Sequence, residues 1–158
     1  MAIETERKFL VADMNVLSGY VPERIVQAYV CRGSDNMTVR IRTMQIATCS
    51  PKAFVTLKGP KADGISGHEF EYEIPISDAQ EMLNLYCSGM LIKDRYKIDY
   101  LGHTFEVDVF LGSLAGLVLA EVELPAVDTP VALPPWLGAE VTGDPRYFNS
   151  NMVVDNNT

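Results

Sequence analysis

Residues 68–76 read His68-Glu69-Phe70-Glu71-Tyr72-Glu73-Ile74-Pro75-Ile76, with a carboxylate at every second place from Glu69 to Glu73. Side chains two residues apart share one face of a β-strand. This stretch is therefore a strand with one acidic face and one apolar face. The same period recurs along the chain and predicts eight strands, at about 2–10, 25–32, 37–44, 53–58, 68–76, 92–99, 104–110 and 117–124. Turn signals separate them at Ser34-Asp35-Asn36, Lys61-Ala62-Asp63-Gly64, Leu101-Gly102 and Leu111-Gly112-Ser113.

Helices are few. One is predicted over about 78–88, with Ser77 as N-cap, Gln80 completing a capping box, and Gly89 as its stop. Its apolar stripe is Ala79, Met82, Leu83 and Tyr86. Others are expected from Pro130 to just before Trp136, at Asp144-Pro145, and, more weakly, at Asp13 to Ser18. Many strands and few helices make a mainly β fold. The expectation is one domain spanning 1–158: an antiparallel barrel or a strongly curved sheet with a few covering helices.

A chain of 158 residues suffices for one domain with a real core. No apolar run approaches the roughly 20 residues of a transmembrane helix. The start is charged and lacks the apolar stretch of a signal peptide, so a cytoplasmic location is the default. Cys31, Cys49 and Cys87 are odd in number and unpatterned, which argues against a disulfide framework or a zinc site. The net charge of −8 argues against nucleic acid or an anionic membrane as the main partner. An anionic substrate would need local cations or metal ions.

The strand faces offer both. Glu4, Glu6 and Lys8 share a face, as do Gln27 and Tyr29, Arg40 and Arg42, and Thr56 and Lys58. So do Lys93, Arg95 and Lys97, then Glu106 and Asp108, then Glu121 and Glu123. In any single strand a solvated outer face explains such a pattern. Taken together the strands favour the inverse, because most charged faces carry one sign and like charges need a counter-charge nearby. Charged faces then line a polar interior, and apolar faces lie outside under the helices. Clustered carboxylates suit Mg²⁺ or Mn²⁺. Clustered Arg and Lys suit phosphate oxygens. Together they suit a polyphosphate.

No GxxxxGK[ST] loop, no GxGxxG and no nucleophile signature around Ser66, Ser113 or Asp128 is present. His68 and His103 are isolated, and Trp136 after Pro134-Pro135 reads as packing.

The chain resembles the CYTH, or triphosphate tunnel metalloenzyme, superfamily. Its Glu-x-Glu-x-Lys signature stands here as Glu4-Thr5-Glu6-Arg7-Lys8. The likeness continues through Val39-Arg40-Ile41-Arg42, Thr56-Leu57-Lys58, Glu69-Phe70-Glu71, Lys93-Asp94-Arg95-Tyr96, Phe105-Glu106-Val107-Asp108 and Ala120-Glu121-Val122-Glu123. It ends at Pro134-Pro135-Trp136-Leu137-Gly138 and Asp144-Pro145-Arg146-Tyr147-Phe148-Asn149. Among the members, the compact bacterial inorganic tripolyphosphatases are the most similar.

The resemblance implies an eight-stranded antiparallel β-barrel or tunnel, closed or C-shaped and open, usually as a homodimer. It implies hydrolysis of a phosphoanhydride bond of inorganic tripolyphosphate or another triphosphate, with Mg²⁺ or Mn²⁺ as cofactor. It implies that Glu4, Glu6, Asp108, Glu121 and Glu123 hold metal, with Glu69 and Glu71 assisting. Arg40, Arg42, Lys58, Lys93 and Arg95 would bind phosphate. Lys8 would position or deprotonate the attacking water, or else bind phosphate, so Lys8 and Glu69 are the candidate catalytic residues. Tyr29 and the segment near Arg146 and Tyr147 would line or close the tunnel. Two departures stand out. Many relatives have Arg two places before the first strand-five glutamate, where this chain has Gly67. Many have a Lys in the C-terminal segment, where this chain has Pro145 and Phe148 and leaves Arg146 as the cation. Alternatives are an adenylate cyclase, a non-catalytic polyphosphate- or nucleotide-binding module, and a purely structural barrel.

Overall fold

The computed structural model describes residues 3–32, 37–87 and 89–153. Nine strands form among them: β1 (Ile3–Val11), β2 (Glu23–Arg32), β3 (Thr38–Ile46), β4 (Lys52–Lys58), β5 (Ser66–Ile74), β6 (Leu91–Tyr100), β7 (His103–Phe110), β8 (Val118–Glu123) and β9 (Leu137–Glu140). Two helices accompany them, α1 (Ile76–Tyr86) and α2 (Asn149–Met152), with 3₁₀ turns at Met14–Leu17, Gly112–Leu114 and Pro145–Tyr147. The eight expected strands match β1 to β8, and β9 is new. The turn expected at Ser34-Asp35-Asn36 lies outside the described residues. No helix is long and apolar enough to cross a membrane among the described residues.

The strands close into an antiparallel barrel in the order β1-β5-β4-β3-β2-β6-β7-β8 and back to β1. Strand β1 makes the closure. Its start pairs with β5, Ile3 opposite His68 and Thr5 opposite Ser66. Its middle pairs on the other edge with β8, from Glu6 opposite Glu123 to Leu10 opposite Leu119. Beyond the β5 contact, β9 takes over the free edge, with Phe9 opposite Glu140 and Val11 opposite Leu137. Arg7 fastens it by two bonds to Glu140, at 2.9 and 2.7 Å. Between β6 and β7 the hairpin is tight. Leu101 and Gly102 both take positive φ, 44° and 89°, as a two-residue primed turn requires.

The apolar faces point outward as expected, but helices cover only part of them. Helix α1 lies over Ile41 and Ala53, burying Ala79, with Ile76, Met82 and Leu83 packed beside it. It starts earlier than the Ser77 cap would place it. Pro75 precedes the first turn and accepts from the Ala79 N–H at 3.1 Å, without a side-chain cap. Tyr86 is outside the stripe, 64% exposed. The larger outer face, with Phe9, Phe105, Val107, Ala120 and Val122, is covered by Leu17, Leu124 and Trp136. No helix forms at 130–136. Pro134 and Pro135 lack the N–H a helix needs, and each proline biases the residue before it toward extended backbone. Trp136 instead seats edge-on against Phe105, ring centres 5.8 Å apart. The other two short predictions survive as 3₁₀ turns capped by Asp13 and Asp144.

Inside, one end of the barrel is apolar. Leu10, Tyr29, Leu91, Phe110 and Leu119 meet there and pack with Tyr147, Met152 and Val153 of the C-terminal segment. Each of the five strand residues sits two places beyond a polar residue on the same face. The interior is therefore a pit with a greasy floor.

Replacing Trp136 with Ala removes the lid over Phe105 and should cost about 3 kcal/mol of stability. Urea unfolding should show a lower midpoint with little change in slope.

Candidate active site

The polar part of the interior is a cavity of about 950 Å³. Strand alternation aims the side chains, and register decides which of them meet. Across β1–β8, Glu6 stands opposite Glu123 and Lys8 opposite Glu121. Across β4–β5, Lys58 stands opposite Glu69 and Thr56 opposite Glu71. Across β6–β7, Arg95 stands opposite Asp108 and Lys97 opposite Glu106. Of the twelve catalytic, phosphate-binding and metal candidates, all except Asp108 line the cavity: Glu4, Glu6, Lys8, Arg40, Arg42, Lys58, Glu69, Lys93, Arg95, Glu121 and Glu123.

Carboxylates from β1 and β8 crowd one side. Burial pushes the Glu6 carboxyl above its usual range, and Glu121 and Glu4 push it further. Glu123 is raised the same way, by burial and then by Glu4, Glu106 and Glu6. Burial also works against a charged Glu121, yet Lys8, Arg95, Lys93 and Lys58 together hold it well below the usual range. Three of the four, Glu4, Glu6 and Glu121, have found a cation. Lys58 Nζ lies 3.0 Å from Glu4, and Lys61 Nζ lies 3.0 Å from Glu6 and 3.6 Å from Glu4. Lys8 Nζ lies 3.3 Å from Glu121 and donates to the Tyr147 carbonyl at 2.8 Å.

The basic side is built around two buried anchors. Asp108 grips Arg95 with both oxygens, at 2.7 and 2.9 Å, and takes Lys93 at 2.7 Å. It is 1% exposed and stands behind the cations rather than in the cavity. The carboxylate of β7 that does reach the cavity is Glu106, which accepts from Arg95 at 3.0 Å. Gln27 is the second anchor. Its carbonyl oxygen accepts twice from Arg42, at 3.0 and 2.8 Å, while its amide donates to Tyr29 and Asn149. Burial presses Lys93 down to about 7, with Asp108 resisting and Arg95 and Arg42 adding to the fall. Burial likewise brings Arg42 to about 9, helped by Arg40 and Arg95. Arg40 reaches Thr56 and Glu71, each at 3.2 Å, and its buried Nε has no hydrogen-bond partner in the structure. Four cations, Arg40, Arg42, Lys93 and Arg95, thus crowd together beside the low-dielectric floor, and Arg42 is the one held by a neutral partner.

Among the described residues no three His, Cys, Asp or Glu side chains converge tightly enough to grip a metal ion. The donor set still fits a hard divalent cation. Glu4, Glu6, Glu121 and Glu123 are oxygen donors on two neighbouring strands, and their mutual repulsion is what a cation relieves. Asp108 fits less well, since Arg95 and Lys93 already occupy its oxygens.

Several participants escaped the strand-by-strand reading. Lys61 sits on a loop, where no period marks it. Asn149 accepts from Lys93 at 2.8 Å and, like Gln27, carries no charge to draw attention. Arg146, expected to be the cation of the C-terminal segment, turns outward to Asp144 at 2.7 Å and is mostly exposed. That segment brings the Tyr147 carbonyl and the Asn149 amide instead.

The CYTH domain family matches residues 2–148. An inorganic triphosphatase of Acetivibrio thermocellus is 40% identical over 154 residues, covering 97% of this chain and 94% of the relative. One of Nitrosomonas europaea is 37% identical, covering 96% and 97%. A solved inorganic triphosphatase structure superposes with a TM-score of 0.64 at 33% identity, over 96% of this chain and 95% of the other. A candidate adenylyl cyclase of Hippeastrum with a dominant triphosphatase activity shares the fold, with a TM-score of 0.59 at 18% identity over 78% and 80%. A barrel with paired acidic and basic inner faces, matched along nearly its whole length, places this chain in the CYTH domain family.

Proposed function

We propose that the chain is a metal-dependent triphosphatase, hydrolysing the phosphoanhydride bond of inorganic tripolyphosphate or another triphosphate and releasing phosphate. The observation that carries this reading is a single cavity with crowded carboxylates on one side and a cluster of buried Arg and Lys on the other, where Arg42 is held by a neutral amide. Such a cluster suits phosphate oxygens, and the facing carboxylates suit the metal that accompanies them. The family and its triphosphatase relatives support the same conclusion.

Arg40, Arg42, Lys58, Lys93 and Arg95 bind the phosphate oxygens, and Asp108 and Gln27 hold the buried members of that set in place. Glu4, Glu6, Glu121 and Glu123 hold Mg²⁺ or Mn²⁺, which when bound neutralises phosphate charge and stabilises the transition state. In the reaction a water oxygen bonds to the terminal phosphorus, the bridging P–O bond breaks, and pyrophosphate leaves. Lys8 is placed to orient that water, because the Tyr147 carbonyl and Glu121 fix its ammonium on the cavity wall. Glu69, opposite Lys58 and 4.0 Å from Arg40, is the carboxylate that takes up the released proton.

Phosphate release from tripolyphosphate, ATP, GTP and thiamine triphosphate, each with Mg²⁺ or Mn²⁺, tests this directly. Metal-dependent release from at least one is expected, and chelation should abolish it. Cyclic AMP from ATP would move the protein to the cyclases, and tight binding without turnover would make it a binding module. Lys8→Ala should lower kcat by about a hundredfold with a smaller effect on KM. Glu123→Ala should weaken metal dependence, and full activity in both variants would refute these site assignments. Asp108→Ala strands two buried cations and should cost about 3 kcal/mol in urea unfolding without added metal. Unchanged stability with weakened metal binding would make Asp108 a ligand instead.

A further inference from the structure

Lys61 belongs to the β4–β5 connection, yet its ammonium lies inside the cavity against Glu6 and Glu4, at 3.0 and 3.6 Å. Its path is built into the backbone. Gly67 stands opposite Glu4 in the β1–β5 ladder. The Lys61 stem crosses it so closely that a Cβ at 67 would come within 2.9 Å of Lys61 Cγ. Glycine at this place is what lets the lysine reach the carboxylates. The turn that carries it is pinned. Lys61 O accepts from Gly64 at 3.0 Å, and Asp63 accepts from the backbone of Ile65 and Ser66 at 2.9 and 2.6 Å. Gly64, at φ +75°, lies against Gly143 of the β9 side. A fixed backbone thus holds a four-carbon stem whose side chain is still 22% exposed.

Lys61 differs from the other cations of the site. The phosphate-binding set projects from strands, whereas Lys61 comes from a loop. It shares Glu4 with Lys58, which lies closer, at 3.0 Å against 3.6 Å, but among the described residues Lys61 alone pairs with Glu6. An ammonium seated on those oxygens and a divalent cation on the same oxygens repel each other, so one excludes the other. Once displaced, the ammonium stays within the same cavity, where the substrate is the new source of negative charge.

We propose that Lys61 is a built-in counter-ion that competes with the divalent metal for Glu4 and Glu6, and that metal binding releases it to the phosphates of the substrate. Resting on the metal-dependent triphosphatase reading, it gives metal and triphosphate a reciprocal coupling. Each ligand takes one half of an ion pair and frees the other half for its companion.

Two readouts test it: Mn²⁺ affinity without substrate, from the electron paramagnetic resonance of free Mn²⁺, and KM for tripolyphosphate at saturating Mn²⁺. The variants are Lys61→Met, which keeps the stem and loses the charge, Lys61→Arg, and Lys52→Met as an exposed control. Lys61→Met should bind Mn²⁺ about fivefold tighter, the worth of one partly exposed ion pair, while its KM rises by about as much. Lys61→Arg should stay near wild type in both, as should the control. A merely structural lysine would not move the two constants in opposite senses. Mn²⁺ affinity unchanged or weaker in Lys61→Met, with wild-type binding intact, overturns the competition alone. An unchanged KM overturns the release to substrate. No Mn²⁺ binding by wild type or variant overturns the metal reading, and this proposal with it.

Discussion

Lys93 and Arg95 point into the barrel from one face of β6, and both are bonded to Asp108 on the adjoining strand. All three are nearly sealed from water. Two cations in a place of low dielectric are tolerable only with a counter-ion at hydrogen-bond distance. Asp108 is shared between the two, and Glu106 completes Arg95 from the cavity side at 3.0 Å. Arg42 is held by a neutral glutamine. The basic side thus keeps one buried cation without a carboxylate on it, beside an apolar floor. Burial first, then Arg95 and Arg42, bring Lys93 down to about 7 against the pull of Asp108.

The acidic side crowds charge of the opposite sign. Glu6 faces Glu123 across one ladder and is pushed up by burial and then by Glu121 and Glu4. The lysines that reach over, Lys8, Lys58 and Lys61, relieve this only in part. A site with clustered cations on one side and crowded carboxylates on the other is poised for two ligands of opposite sign. A divalent cation and a polyphosphate answer that description, and each makes the site better for the other.

Much of this was legible from period-2 alternation. Side-chain parity placed all eight barrel strands, put the charged faces inside, and brought eleven of the candidate residues to one cavity. The same parity carried the floor as well, for Leu10, Leu91, Phe110 and Leu119 continue the charged faces. Their apolar character was simply outweighed by the charges beside them. What alternation cannot give is the contact between strands. Asp108 and Glu106 share a face, and only register shows that Asp108 is consumed by Arg95 and Lys93 while Glu106 meets the cavity. Nor does it see loops, which is why the roles of Lys61 and Asn149 entered late, and it set Gln27 beside Tyr29 without showing that this amide holds Arg42. Strand β9 is four residues long and interrupted by Gly138, too short for a period to show. The helix expected before Trp136 failed on two prolines whose missing N–H groups outweigh an apolar pattern.

The central claim is that the carboxylates of β1 and β8 form the metal end of a single two-sided site. Anomalous scattering from crystals soaked in Mn²⁺ measures it most directly. A strong peak is expected among Glu4, Glu6, Glu121 and Glu123, with Lys61 turned away from Glu6. Mn²⁺ confined to the outer surface, with Lys61 still on Glu6, would contradict it.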